Sequence, residues 1–171
     1  MMRFRSRKTD IYIERIQFVS RTDRRRAECE AVGRLVRRVF GDEALLSHRS
    51  DGAPFIEGFG GYISISHGAG LAVLAVSALR PIGVDVECWR DSLLTVAPRV
   101  LDEAELQACG DDRMALLRAW TAKEAIFKAA GVEGLTLPEI RLPGRVGERR
   151  FAVRYFERGD RILALAFEED N

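Results

Sequence analysis

Apolar positions change their spacing several times along the chain, and the changes outline its elements. "IYIERIQFV" (11–19) alternates with the period of a strand. In "RRRAECEAVGRLVRRVF" the apolar residues Ala31, Leu35, Val36 and Val39 fall at helical spacing, with Thr22 or Asp23 as cap and Gly41 as stop. "SHRSDGAPF" has the composition of a turn. "YISIS" (62–66) and "LAVLAVS" (71–77) read as two strands of a hairpin around "HGAG". "PIGVDVE" (81–87) reads as a third strand entered through Pro81, a residue better tolerated at the start of a strand than in its middle.

The second half repeats the alternation of helix and strands. "LDEAELQAC" carries a capping-box signal, with Asp102 as cap and Glu105 three residues on. "DDRMALLRAWTAKEAIFKAAG" (111–131) is the strongest helix pattern in the chain: Asp111 or Asp112 starts it and Gly131 ends it. Ala119, Ala122, Ile126 and Ala129 form its core stripe. "RRFAVRYFE" and "RILALAFEE", separated by the turn "RGD", predict a closing pair of strands. The order predicts an α+β fold with halves 1–80 and 81–171; "GLAVLAVS" and "DRILALAFE" are comparable closing strands, a signal that does not by itself make a repeat. No low-complexity linker separates them, so they are expected to pack tightly.

Composition narrows the class. At 171 residues, 47% hydrophobic and 31% charged, the chain has the make-up of an ordinary globular protein with a real core. No stretch approaches the ~20 apolar residues of a membrane span. The Arg-rich N-terminus lacks the apolar run of a secretory signal, and periodic sequence follows it at once, which disfavours a transit peptide. Cys29, Cys88 and Cys109 have neither zinc-site spacing nor an even count, and so read as incidental thiols of a reducing compartment such as the cytoplasm. His48 and His67 are the only histidines, which excludes a His-rich metal site.

Charge is uneven. Residues 1–50 hold 13 Lys and Arg against 7 Asp and Glu, whereas the whole chain is nearly neutral at +1. A basic third of this kind can meet nucleic acid, an acidic protein or a phosphorylated ligand. Without interleaved aromatics or a nucleic-acid motif, DNA and RNA are disfavoured, and a solvated face accounts for most of these arginines.

The candidate chemistry begins in "PIGVDVE". Side chains two apart share a face of a strand, so Ile82, Val84 and Val86 point one way and Gly83, Asp85 and Glu87 the other. Taken alone the pair of carboxylates reads as a solvated outer face. On the long helix Glu124 and Lys128 stand four apart, with Trp120 four before, a pair worth only ~0.3–0.5 kcal/mol if it is merely a surface contact. Together, the three carboxylates suit a hard cation such as Mg²⁺, which takes oxygen ligands and completes its shell with substrate phosphates. Lys123 and Lys128 flank the helical carboxylate as counter-charges for phosphate. His67 precedes a Gly-containing turn whose N–H groups can join it against an anion. Gly83 would leave room beside the ligand.

"ISISHGAGLAVLAVS", "RPIGVDVE" and "LLRAWTAKEAIFKAAGVEGL" resemble, in order, the three blocks of the 4′-phosphopantetheinyl transferases, and their separation is similar to that of the larger, Sfp-like class. "GAP" (52–54) and "RVLDEAEL" resemble two further segments, so the likeness runs over about residues 25–137. It implies a pseudo-twofold pair of α/β halves, each a small mainly antiparallel sheet on a long helix, with coenzyme A in the cleft between them. By this resemblance Asp85, Glu87 and Glu124 match the magnesium ligands, with Mn²⁺ as a substitute, and Glu124, Asp85 and Lys128 form the catalytic set. His67, Ser66, Lys123, Lys128 and Arg49 are the candidate coenzyme A contacts. The implied reaction is attack by a carrier-protein serine on the β-phosphate, transferring phosphopantetheine to an acyl, polyketide or peptidyl carrier and releasing adenosine 3′,5′-bisphosphate. Either Glu124 or a metal-bound water takes the serine proton.

The chain departs from the pattern at three positions. Ala53 stands where a basic residue is expected between Gly52 and Pro54, Ser64 replaces an Asn, and Gly68 follows the histidine in place of a Ser. These changes bear on coenzyme A affinity; Arg49 or the Arg24–Arg26 cluster is available to supply the missing charge. The alternative to an enzyme is a non-catalytic or weakly active relative that binds a carrier protein or partner enzyme as a scaffold. The retained acidic triad favours the enzyme, because three unpaired carboxylates near low-dielectric walls are costly without their cation. A generic Mg-dependent phosphohydrolase lacks a nucleophile motif. Two internal halves permit a monomer, and no membrane or nucleic-acid partner is expected.

Overall fold

The computed structural model describes residues 2–6, 9–17 and 22–170, with residues 4–6 described by their backbone alone. In the first half β1 (Met2–Ser6), β2 (Thr9–Arg15), β5 (Tyr62–Gly68) and β6 (Leu71–Ser77) form an antiparallel sheet in the order β1-β2-β6-β5. Between β2 and β5 lie helix α1 (Arg24–Phe40) and a small ribbon of β3 (Leu46–His48) with β4 (Pro54–Ile56). The second half holds β7 (Ile82–Cys88), the short helices α2 (Leu93–Val96) and α3 (Glu103–Cys109), the long helix α4 (Arg113–Ala130), β8 (Arg145–Val146), β9 (Arg149–Arg158) and β10 (Arg161–Glu168). Its sheet is also antiparallel, in the order β7-β10-β9-β8. Both halves run strand, helix, hairpin, and in both the last hairpin strand lies in the middle: β2-β6-β5 and β7-β10-β9.

Alternation explains the layers. Ile11 and Ile13 of β2 join Val73 and Ala75 of β6 on one face of the first sheet. These pack on Ile82, Val84 and Val86 of β7 with Leu163 and Leu165 of β10, one core shared by both halves. The opposite face of the first sheet (Ile63, Ala72, Leu74) takes α1 through Ala31, Leu35 and Val36. The opposite face of the second (Ala164, Ala166) takes α4 through Ala125, Ile126 and Ala129. Strands β6 and β10 are covered on both faces, which is why "LAVLAVS" and "ILALAF" are almost unbroken apolar runs.

The local signals act as their chemistry dictates. Asp102 and Glu105 form the reciprocal capping box of α3, at 2.8 and 3.0 Å. The Asp112 carboxylate accepts from the Met114 and Ala115 N–H groups at the start of α4, and Gly131 ends it in the left-handed conformation. Ala69 and Gly70, both at positive φ, make the two-residue turn of the β5–β6 hairpin. Asp23 stands at the N-cap of α1, but its side chain makes no capping bond.

Three expectations change. The strand expected at 11–19 begins two residues earlier and ends at Arg15; residues 18 and 19 lie outside the described residues. The Arg-rich N-terminus contains β1, paired along β2 from Met2↔Ile13 to Ser6↔Thr9, because an edge strand needs few apolar residues of its own. The turn-like "SHRSDGAPF" includes the facing strands β3 and β4. Among the described residues no helix is long and apolar enough to cross a membrane.

Candidate functional site

The two sheets meet where β5 runs beside β7, and here serine hydroxyls take the place of a backbone ladder. The Val84 N–H donates to Ser64 Oγ at 2.9 Å and the Val86 N–H to Ser66 Oγ at 3.2 Å. Gly68 completes the seam, since a Cβ there would run into the Val86 carbonyl oxygen. Ser64 and Gly68, which depart from the resemblance pattern, thus bring the halves together at close range. A cleft of about 770 Å³ opens along this seam, lined by β5, β7, α1, α4 and the β3–β4 loop.

Asp85, Glu87, Glu124, Lys128, His67 and Ser66 all line the cleft. Asp85 is buried; its Oδ1 accepts from Ser66 Oγ at 2.9 Å and from Lys128 Nζ at 2.9 Å, while its Oδ2 is buried with no hydrogen-bond partner. Lys128 also donates to the Val84 carbonyl oxygen at 3.0 Å, so its head group is fixed against β7. Glu87 is held through Arg90 Nη1, 2.9 and 2.7 Å from its two oxygens. Burial, and secondarily the charge of Asp85, push the Glu124 carboxyl above the ordinary glutamate range. Burial also pushes Glu87 upward, against the opposing pull of Arg90. Across the cleft His67 Nδ1 stands 3.3 Å from Glu28 Oε2, and the other oxygen of Glu28 accepts from Arg24 Nε at 2.8 Å.

The carboxylates of β7 and α4 suit a hard cation: three of them line the cleft, and one buried oxygen is without a partner. Among the described residues, however, no group of three or more His, Cys, Asp or Glu side chains is gathered closely enough to hold a metal as it stands. Two of the three carboxylates are instead tied to cations, Asp85 to Lys128 and Glu87 to Arg90.

Two residues expected at phosphate do not line the cleft. Lys123 is wholly buried on the side of α4 away from the cleft, 2.7 Å from Glu105 and 2.8 Å from the Val100 carbonyl oxygen. Consecutive helical residues point about 100° apart, and here Glu124 turns to the cleft while Lys123 turns to α3. Arg49 lies on the β3–β4 loop with its guanidinium over the Phe55 ring, and does not line the cleft. Gly83 also has a different cause: a Cβ there would run into the Ala125 carbonyl oxygen, so it is the α4 backbone, and no ligand, that approaches it. Sequence reasoning missed Arg90 and Glu28. Both are charged residues one helical turn or less from a singled-out position, and nothing in their spacing distinguishes them from the solvated charges around them. In the basic N-terminal third Arg24, Arg26 and Arg34 are paired with Glu28, Glu30 and Glu14. All three cysteines are free.

Residues 81–164, just under half of the chain, match the family model of the 4′-phosphopantetheinyl transferase superfamily. The match begins at Pro81 and spans Asp85, Glu87, Arg90, Glu124 and Lys128. No curated protein matches the chain.

Proposed function

We propose, on the match of residues 81–164 to the family model of the 4′-phosphopantetheinyl transferase superfamily, that this chain moves phosphopantetheine from coenzyme A to a serine of an acyl, polyketide or peptidyl carrier protein. Adenosine 3′,5′-bisphosphate is the other product. The observation that carries the reading is Asp85, whose buried and unpartnered Oδ2 belongs to a cleft that Glu87, Glu124 and Lys128 also line. An orphaned carboxylate oxygen in such a place is costly unless a cation completes it.

Asp85, Glu87 and Glu124 would hold Mg²⁺, or Mn²⁺ in its place, and the ion would supply neutralisation of the pyrophosphate charge. The remaining work falls to the chain. Lys128, anchored on the Val84 carbonyl oxygen, presents a fixed positive charge to phosphate. Glu28 holds Nδ1 of His67 and leaves its Nε2 for the ligand. Trp120, Phe127 and Val132 give the cleft an apolar wall. The serine oxygen forms a bond to the β-phosphorus as the bond to the bridging oxygen breaks, and the bisphosphate leaves with that oxygen. Glu124, which lines the cleft, is the acceptor this chain offers for the serine proton.

The shared strand–helix–hairpin order supports the finer reading of a pseudo-twofold pair of the Sfp-like class. A cleft lined by both halves of one chain supports a monomer, and free thiols suit a cytoplasmic protein. The test is incubation with Mg²⁺, coenzyme A and apo-carrier proteins, followed by intact-mass measurement of the carriers. A phosphopantetheine adduct is expected, and Asp85→Asn should abolish it with the fold retained by circular dichroism. Absence of any adduct together with absence of coenzyme A binding by calorimetry overturns the reading.

A further inference from the structure

Arg90 follows β7 by two residues, where the neighbouring Trp89 fixes the backbone: its N–H donates to the Asp160 carbonyl oxygen at 3.2 Å, and its ring packs beside Leu93 and Leu117. The Arg90 side chain faces the cleft, 45% exposed, and engages Glu87 through Nη1 alone among the described residues. This is neither a buried ion pair nor the two-nitrogen fork that makes arginine–carboxylate pairs strong. Half-exposed pairs of this kind are weak and exchange readily. Lys128, fastened to both Val84 and Asp85, is the opposite case.

The charges of the cleft give this loose contact a consequence. Asp85, Glu87 and Glu124 face Lys128 and Arg90, with Arg24 of α1 also acting on Glu87, and the charge of Arg90 reaches Glu124 as well as Glu87. A dication taken up by these carboxylates would lie within a few ångströms of the guanidinium, and two like charges at that range repel strongly near low-dielectric walls. Arg90 then has to leave Glu87. A phosphate group arriving with the cation is the anion its planar fork fits, and the facing wall offers no cation at Ala53. Resting on the transferase reading above, we propose that Arg90 is an exchangeable counter-charge: it occupies Glu87 until a divalent cation binds, and then passes to a phosphate of the bound coenzyme A.

The exchange is tested with Mn²⁺ alone, by calorimetry without coenzyme A, on the full chain and the variants Arg90→Gln, Arg90→Lys and Asp85→Asn. Arg90→Gln is expected to bind Mn²⁺ roughly three- to tenfold more tightly than the parent, the equivalent of removing a half-exposed ion pair and its repulsion. Arg90→Lys should stay near the parent, and Asp85→Asn should lose binding. With saturating Mn²⁺, coenzyme A should bind Arg90→Gln about tenfold more weakly, as loss of a charged hydrogen bond implies. Mn²⁺ affinity that is unchanged or lower in Arg90→Gln, with Asp85→Asn still defective, overturns the exchange and leaves the transferase reading standing. Unchanged coenzyme A affinity overturns the transfer to phosphate. Absence of Mn²⁺ binding in both the parent and Arg90→Gln overturns the cation site itself, and the exchange with it.

Discussion

Lys123 on α4 is wholly buried with its Nζ 2.7 Å from Glu105 of α3, one residue away from a glutamate that lines the cleft. Glu105 also accepts the Asp102 N–H at 3.0 Å and the Leu142 N–H at 2.9 Å, and Lys123 donates to the Val100 carbonyl oxygen. Both members of the pair are therefore hydrogen-bonded beyond each other. Lys123→Met removes one partner and leaves a buried carboxylate uncompensated, which costs about 3–5 kcal/mol. Urea denaturation should show that loss, while coenzyme A affinity of the folded variant stays at the parent level. Weakened coenzyme A binding at unchanged stability would return Lys123 to the phosphates.

The serine seam makes a separate prediction. Ser64 is buried and its hydroxyl oxygen accepts the Val84 N–H. Ser64→Ala leaves that N–H without a partner between two sheets, at a cost of about 1–3 kcal/mol. Ser77→Ala serves as the comparison, because the N–H groups of Leu79 and Arg80 that Ser77 accepts, both at 3.3 Å, lie in a part-buried turn. Denaturation midpoints should fall further for Ser64→Ala; equal losses would mean that the seam is not held by its hydroxyls.

The helices, the two hairpins and the alternation of "PIGVDVE" were legible in the sequence because each rests on local chemistry: period, caps and turn residues. Asp85, Glu87, Glu124 and Lys128 were legible because strand and helix periods place them on defined faces. What was not legible depends on partners distant in sequence. The helical period separates Lys123 from Glu124 but does not say which of the two faces the cleft; only the position of α3 decides that. Gly83 signals a close approach, and whether a ligand or the α4 backbone makes it depends on packing. β1 draws its order from β2, and Arg90 draws its significance from Glu87 beneath it.

Gly83 tests how tightly α4 is seated. A methyl group at this position would meet the Ala125 carbonyl oxygen and stand 2.6 Å from the Ala129 nitrogen, both backbone atoms that a rotamer change cannot move. Gly83→Ala should lower stability by about 1–3 kcal/mol through displacement of the helix. Since that helix carries Glu124 and Lys128, Mn²⁺ affinity should fall as well. A stable variant with unchanged Mn²⁺ binding would show that the strand and helix can separate without cost to the site.

The raised carboxyls give the cation-free protein a pH dependence of definite sign. Glu124 is pushed above the ordinary value of 4.5 first by burial and then by Asp85, and Glu87 is pushed up by burial in spite of Arg90. In the window between the ordinary value and the raised one, the folded chain holds more protons than the unfolded chain. Stability therefore falls as pH rises through that window and stays lower above it. The carboxylates of Glu157 and Glu168, held below the ordinary value first by hydrogen bonds from Arg118 and Arg149, act in the opposite sense and only at lower pH. Thermal melts in the presence of a chelator should thus show the melting temperature declining as pH rises from about 4.5 toward neutrality. Glu124→Gln, which cannot ionise, should flatten the decline and melt higher than the parent at neutral pH. A parent-like slope in Glu124→Gln would mean that the buried carboxyl of α4 does not carry the effect.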